Sequence, residues 1–131
     1  DVLGSLEYAT KIAGARLIIV KGHTDCGAIN AACDNVQLGN VSAMLSKLHG
    51  AIERETTTRE HRDSSNLEFV ANVTRLSVEA SIDQILHRSP IIAELVESGQ
   101  IAIVGAIYDN ASGQVEFLEG GIVEPARLSS P

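Results

Sequence analysis

The sequence predicts an α/β fold with a mainly parallel central sheet flanked by helices. Two stretches, 17–20 and 101–108, are apolar on consecutive residues, as strands covered on both faces are. Helical periodicity fills the chain between them. The composition, 44% hydrophobic with only 3% aromatic and eleven glycines, makes a core of Ala, Val, Ile and Leu. That suits layers of helix and sheet better than an aromatic-rich sandwich. At 131 residues the chain reads as one domain, 1–131.

The first helix places Val2, Leu6, Ala9 and Ala13 on one face and stops at Gly14. Leu17-Ile18-Ile19-Val20 follows as a short buried strand, and Lys21-Gly22-His23 leaves it. Residues Cys26 to Cys33 read as a helix filled by Ala28, Ile29, Ala31 and Ala32. Asn40 is the expected cap of another helix, with Val41, Met44, Leu45, Leu48 and Ile52 on one face. Glu53 to Asp63 is almost wholly polar and is expected to be an exposed loop.

Ser65 with Glu68 three residues on is a capping box. It opens the longest helix, with Leu67, Val70, Ala71, Thr74, Val78, Ile82 and Ile85 as its buried stripe. Ser89-Pro90 is an N-cap followed by proline at the first helical position, and this helix ends near Gly99. Ile101 to Tyr108 is the second buried strand, Asp109 to Gly113 a turn, and Gln114 to Leu118 an antiparallel edge strand. Residues 119–131 read as a tail. Two apolar strands make a thin sheet for so many helices.

The net charge is −7, which argues against a nucleic-acid partner, since phosphate backbones need a basic face. No apolar run reaches the roughly 18 residues of a membrane helix, so no membrane partner is expected. Cys26 and Cys33 stand seven residues apart. On a helix that is a rise of about 10 Å, beyond the roughly 7 Å a disulfide spans. Two reduced thiols suit the cytoplasm.

Gly22-His23-Thr24-Asp25-Cys26-Gly27 carries the chemistry. Imidazole nitrogen and thiolate sulfur are zinc donors, and His23 and Cys26 fall where a strand ends and a helix begins. Ligands collect at the carboxyl ends of strands in open α/β sheets, and a helix start favours a thiolate. Gly22 is expected to let the chain turn and Gly27 to leave space beside Cys26. From spacing alone two readings stay open, half of a zinc site or an incidental pair. Cys33 lies too far along the helix to join Cys26 on one metal and reads as a buried small hydrophobe. His49, His61 and His87 read as structural or surface residues.

Gly4-Ser5-Leu6-Glu7-Tyr8-Ala9, the strand at Leu17, and Gly22 to Ala28 together resemble β-class carbonic anhydrases. Val70-Ala71-Asn72-Val73 and Ile103 to Asp109 continue the likeness. The resemblance implies zinc held by two Cys and one His, with His23 and Cys26 matching two of these ligands. The remaining ligand belongs to a Cys-x-Asp-x-Arg motif that also supplies a catalytic Asp-Arg pair. The resemblance puts that motif well upstream of the position matching Asp1, so both the ligand and the pair are expected before Asp1. Neither Asp25 nor Arg16 replaces them by position. The resemblance therefore implies a fragment, a cropped domain or a cleaved piece, inactive alone and lacking an N-terminal strand of the sheet.

The implied activity is the reversible hydration of carbon dioxide to hydrogen carbonate, in a homodimer or larger homo-oligomer. Asp25 and Gly27 would border the substrate, with N–H groups near Gly27 holding its oxygens. Thiolate ligands donate charge to zinc, so activity would favour mildly alkaline pH. The alternatives are a zinc hydrolase of carbonyl sulfide or carbon disulfide, a noncatalytic relative without metal, and a generic α/β binding module.

Overall fold

A computed structural model describes residues 1–123. Strands β1 (Leu17–His23), β2 (Ala102–Tyr108) and β3 (Val115–Val123) form one sheet in the order β1-β2-β3. β1 and β2 are parallel, with Leu17 opposite Ala102 and His23 opposite Tyr108. β3 runs antiparallel to β2, with Val115 opposite Tyr108. The α/β class holds, with one parallel and one antiparallel ladder.

Helices α5 (Leu67–Arg88) and α6 (Pro90–Glu97) cover one face of the sheet. Val78 and Ile82 of α5 and Ile92, Leu95 and Val96 of α6 bury against Ile18 and Ile103. Each such side chain contributes about 1.5–3 kcal/mol on burial, so packing more than propensity holds these helices to the strands. The opposite face is not closed over: Leu17, Ile19 and Phe117 remain 50%, 51% and 57% exposed. The expectation that both strands are covered on both faces therefore fails for β1, which is also an edge of this sheet.

A smaller second core joins α2 (Gly27–Cys33), α4 (His49–Arg54) and the start of α5. Ile29, Cys33, Ala51, Phe69 and Val73 fill it, with Cys26 and Leu48 packed at its margin. This core fixes α2, and hence Cys26 at its head, relative to the sheet.

Several local expectations shift. Helix α1 (Val2–Glu7) passes into a π-helical turn, Tyr8–Ile12, before Gly14 ends it at φ +85°. The Ala13 N–H donates to Tyr8 O, five residues back (2.9 Å), which rotates the later residues off the 3.6-residue face. Val2 is left exposed, and Thr10 turns inward and donates its hydroxyl to Leu6 O (2.8 Å). Helix α3 (Gly39–Leu45) starts ahead of Asn40, with Leu38 at the cap position and its N–H donating to Ser42 Oγ (2.7 Å).

Asn66, not Ser65, caps α5, accepting from the Phe69 N–H (3.2 Å), while Ser65 binds Asp63 instead. The buried stripe accordingly runs through Phe69, Val73, Thr74, Val78 and Ile82, and Leu67 is exposed. The expected cap at Ser89 is present, its Oγ accepting from the Ile92 N–H and donating to Glu7 Oε2 (2.9 Å). The polar run 53–63 is not simply exposed, since it buries Glu55. The strand β3 continues through Val123, so a tail cannot begin at 119; residues 124–131 of that expected tail lie outside the described residues.

Candidate metal centre

β1 ends on His23, and α2 begins directly after Cys26, which occupies its cap position in an extended conformation (φ −81°, ψ 114°). Thr24 and Asp25 make the turn between them. Asp25 is exposed and takes the left-handed conformation at φ +52°, uncommon for residues with a side chain though Asp is among those that adopt it. Gly22 does not supply the turn as expected, since its φ is not left-handed. It supplies clearance: a Cβ there would meet Val78 Cγ2 at 2.9 Å and Ile107 Cδ1 and Thr74 Cγ2 at 3.2 Å. Gly22 therefore lets β1 lie close against α5. A Cβ on Gly27 would meet nothing within 4 Å, so the space beside Cys26 is open on that side.

His23 is partly buried and its Nδ1 lies 2.8 Å from Thr24 O. A carbonyl only accepts, so this contact favours a proton on Nδ1, which in the neutral ring leaves the lone pair on Nε2. A hydrogen bond that fixes the ring in this way is how metal-binding histidines are commonly oriented.

The turn is tied to the end of β2. Thr24 N–H donates to Tyr108 O (3.0 Å), and Asn110 N–H donates to Thr24 Oγ1 (3.0 Å). Asn110 Nδ2 donates to Thr24 O (2.6 Å). Asp109 organises the turn that carries Asn110: its carboxylate accepts from Ala111 N–H (2.9 Å) and Ser112 Oγ (3.0 Å). Those two bonds, the Ala111 N–H first, hold its pKa below the usual carboxylate range against the smaller effect of desolvation. Beside it, Lys21 Nζ stands 4.9 Å from the centre of the Tyr108 ring.

The donor chemistry of His23 and Cys26 suits zinc. Among the described residues no three His, Cys, Asp or Glu side chains gather as a metal cluster, so His23 and Cys26 offer at most two donors of such a set. Both cysteines are free thiols. Cys33 is buried and its pKa is pushed up to about 11, by burial first and then by Asp34, so it stays a neutral thiol in the second core. His61 and His87 are exposed, and His49 is partly buried at the start of α4. A groove of about 850 Å³ runs between α1, β1, α4 and α5, lined in part by Leu3, Ile19, Leu48 and Arg54. None of His23, Asp25, Cys26 or Gly27 lines it.

Asp1 marks the point before which the catalytic Asp-Arg pair and the remaining thiolate are expected, and that expectation lies outside the described residues. Asp1 itself is exposed at the cap position of α1. Its backbone carbonyl accepts from the Ser5 N–H and the Ser5 hydroxyl, both at 2.9 Å, while its side chain makes no cap hydrogen bond. It therefore serves the first helix and joins no metal cluster with His23 and Cys26, and Arg16 is exposed.

Thr24, Asp109 and Asn110 were not legible as site residues. The parallel register that sets His23 beside Tyr108 was needed to bring the turn at 109–113 to this end of the sheet.

The family model for carbonic anhydrase matches residues 1–115. The carbonic anhydrase of Pseudomonas aeruginosa is 31% identical over 119 residues, covering 91% of this chain and 54% of that protein. The carbonic anhydrase of Mycolicibacterium smegmatis is 34% identical over 116 residues, covering 88% and 55%. Among solved structures, one of two tetrameric β-carbonic anhydrases from Sordaria macrospora shares the fold at a TM-score of 0.72 and 24% identity, covering 91% of this chain and 61% of that one. The chain thus spans about half the length of the curated relatives it matches. On the match over residues 1–115 and the shared fold, the chain belongs to the β-class carbonic anhydrase family.

Proposed function

We propose that this protein catalyses the reversible hydration of carbon dioxide to hydrogen carbonate, using a zinc ion to which His23 and Cys26 contribute two of three protein ligands. The observation that carries this reading is the orientation of His23. Its Nδ1 is engaged by Thr24 O, so Nε2 is the free donor, one short turn from the Cys26 thiol at the head of α2. Zinc, when bound, supplies the Lewis acidity that makes water a nucleophile near neutral pH.

The residues of this chain orient and shape the site. The second core packs against Cys26 and holds it at the start of α2. Gly22 keeps β1 tight on α5, so that the strand delivers His23 at a fixed height. The open flank at Gly27 leaves room for a small substrate beside the thiol, and Asp25 stands exposed at the mouth. The reading requires one more thiolate, and an Asp-Arg pair, from polypeptide upstream of Asp1. The tetrameric relatives from Sordaria macrospora support a homo-oligomeric assembly.

Stopped-flow measurement of carbon dioxide hydration by the full-length protein tests the proposal. Hydration lost on Cys26→Ala is the expected result. Turnover of carbonyl sulfide or carbon disulfide without hydration of carbon dioxide would replace this reading with the related hydrolase.

A further inference from the structure

Three polar groups meet at the Thr24 carbonyl. Asn110 Nδ2 is 2.6 Å from Thr24 O, His23 Nδ1 is 2.8 Å from the same oxygen, and the two nitrogens are 3.3 Å apart. In a neutral ring, a proton on His23 Nδ1 leaves no two acceptors in contact within this triangle. If the Asn110 amide were turned over, its oxygen would face the Thr24 oxygen, two acceptors in contact. If His23 Nδ1 lacked a proton, its lone pair would face that oxygen as well. The carbonyl therefore accepts from both Asn110 and His23.

The peptide that bears this carbonyl is under strain. It joins Thr24 to Asp25, and Asp25 holds φ +52°, a left-handed conformation that residues with a side chain adopt uncommonly. Rotating that peptide plane by half a turn would carry Asp25 to a negative φ and relieve the strain. It would also swing the Thr24 oxygen away from His23 Nδ1. Thr24 O is held against that rotation by the Asn110 amide, and Asn110 is itself fixed by its N–H to Thr24 Oγ1 and by the turn around Asp109.

We infer that Asn110 is a positioning residue for His23: by clamping the strained 24–25 peptide, it keeps the imidazole proton on Nδ1 and leaves Nε2 free for a metal. The tautomer follows from the hydrogen bonds alone; the consequence for metal rests on the zinc reading above. A histidine in free solution favours the proton on Nε2, so the clamp works against the intrinsic preference. Asn110 is exposed, so its removal perturbs the clamp and not a core.

The test is nitrogen-15 NMR of the histidine rings in zinc-free full-length protein, with His23 identified by loss of its signals in His23→Gln. The unmutated protein should show His23 as the Nδ1–H tautomer. Asn110→Leu, which keeps the approximate shape and loses the donor, and Asn110→Ala should both shift His23 toward Nε2–H. Zinc affinity in the same variants should fall about 10–100-fold, with the remaining backbone amide spectrum unchanged. An Nε2–H tautomer in the unmutated protein overturns the inference without any variant. So does an unchanged tautomer in both variants. An Nδ1–H tautomer in a protein that binds no zinc would support the clamp while overturning the metal reading, so the two failures are separable.

Discussion

Arg62 holds Nη1 3.2 Å from Glu55 Oε2 in a niche that leaves the Glu55 side chain 2% exposed. The same guanidinium donates to Glu55 O (2.8 Å), Thr58 O (2.7 Å) and Ile52 O (2.9 Å) and lies over the Phe69 ring at 4.7 Å. One side chain thus ties the end of α4 and the following loop to the second core. Arg62→Met should cost about 3 kcal/mol, because it strands a buried carboxylate. Arg54→Met should cost less than about 1 kcal/mol, since the Arg54–Asp83 pair is 51% and 65% exposed. Urea unfolding of the two variants gives the comparison, and equal losses would contradict it.

Glu55 also sets an acid limit. Burial alone would raise the Glu55 pKa, but hydrogen bonds from the Thr57 hydroxyl and the Thr57 and Thr58 N–H groups outweigh it and lower the value from 4.5 to about 2. The folded state therefore favours the carboxylate. Its stabilisation is fully present above the unfolded value of 4.5 and is lost as pH falls through about 2. The stability difference between the unmutated protein and Glu55→Gln should be flat above 4.5 and shrink below it. A difference that stays constant through that window would contradict the assignment.

Much of the architecture was legible because it rests on local periodicity. The two apolar strands, the Ser89-Pro90 start and the antiparallel hairpin after Asp109 all emerged where composition placed them. What escaped depends on contacts between distant residues. Glu55 and Arg62 look like members of a solvated polar run, and only the folded loop shows one buried under the other. Asn66 took the cap from Ser65 because Asp63 captured the Ser65 hydroxyl and N–H. The π-helical turn rotated the first helix's face in a way that 3.6-residue spacing cannot foresee. At the site, His23, Cys26, Asp25 and Gly27 came from one hexapeptide, whereas Asn110 reached it from 87 residues away.

Gly22→Ala should be costly despite the small change. Its methyl would press on Val78, Ile107 and Thr74 at 2.9–3.2 Å, and overpacking of this kind costs about 1–3 kcal/mol. Gly27→Ala, with open space at the same atom, should be tolerated within about 1 kcal/mol, the helix-propensity difference working in its favour. Thermal unfolding that ranks the two variants the other way would contradict the packing account.

Thiol reactivity should separate the two cysteines. Cys33 is 8% exposed with its pKa pushed up to about 11, while Cys26 is partly exposed at the head of α2. Iodoacetamide at about pH 8, where the reactive species is the thiolate, should modify Cys26 in zinc-free native protein and reach Cys33 only on unfolding. Peptide mass mapping reads the outcome, and equal native labelling of both would contradict it.

The central claim is that His23 and Cys26 bind zinc, and metal content tests it most directly. Elemental analysis of the purified full-length protein should find about one zinc per chain, with the content falling sharply in Cys26→Ala and in His23→Ala. A full-length protein that takes up no zinc even after reconstitution, or a Cys26→Ala variant that keeps the full amount, would contradict the claim.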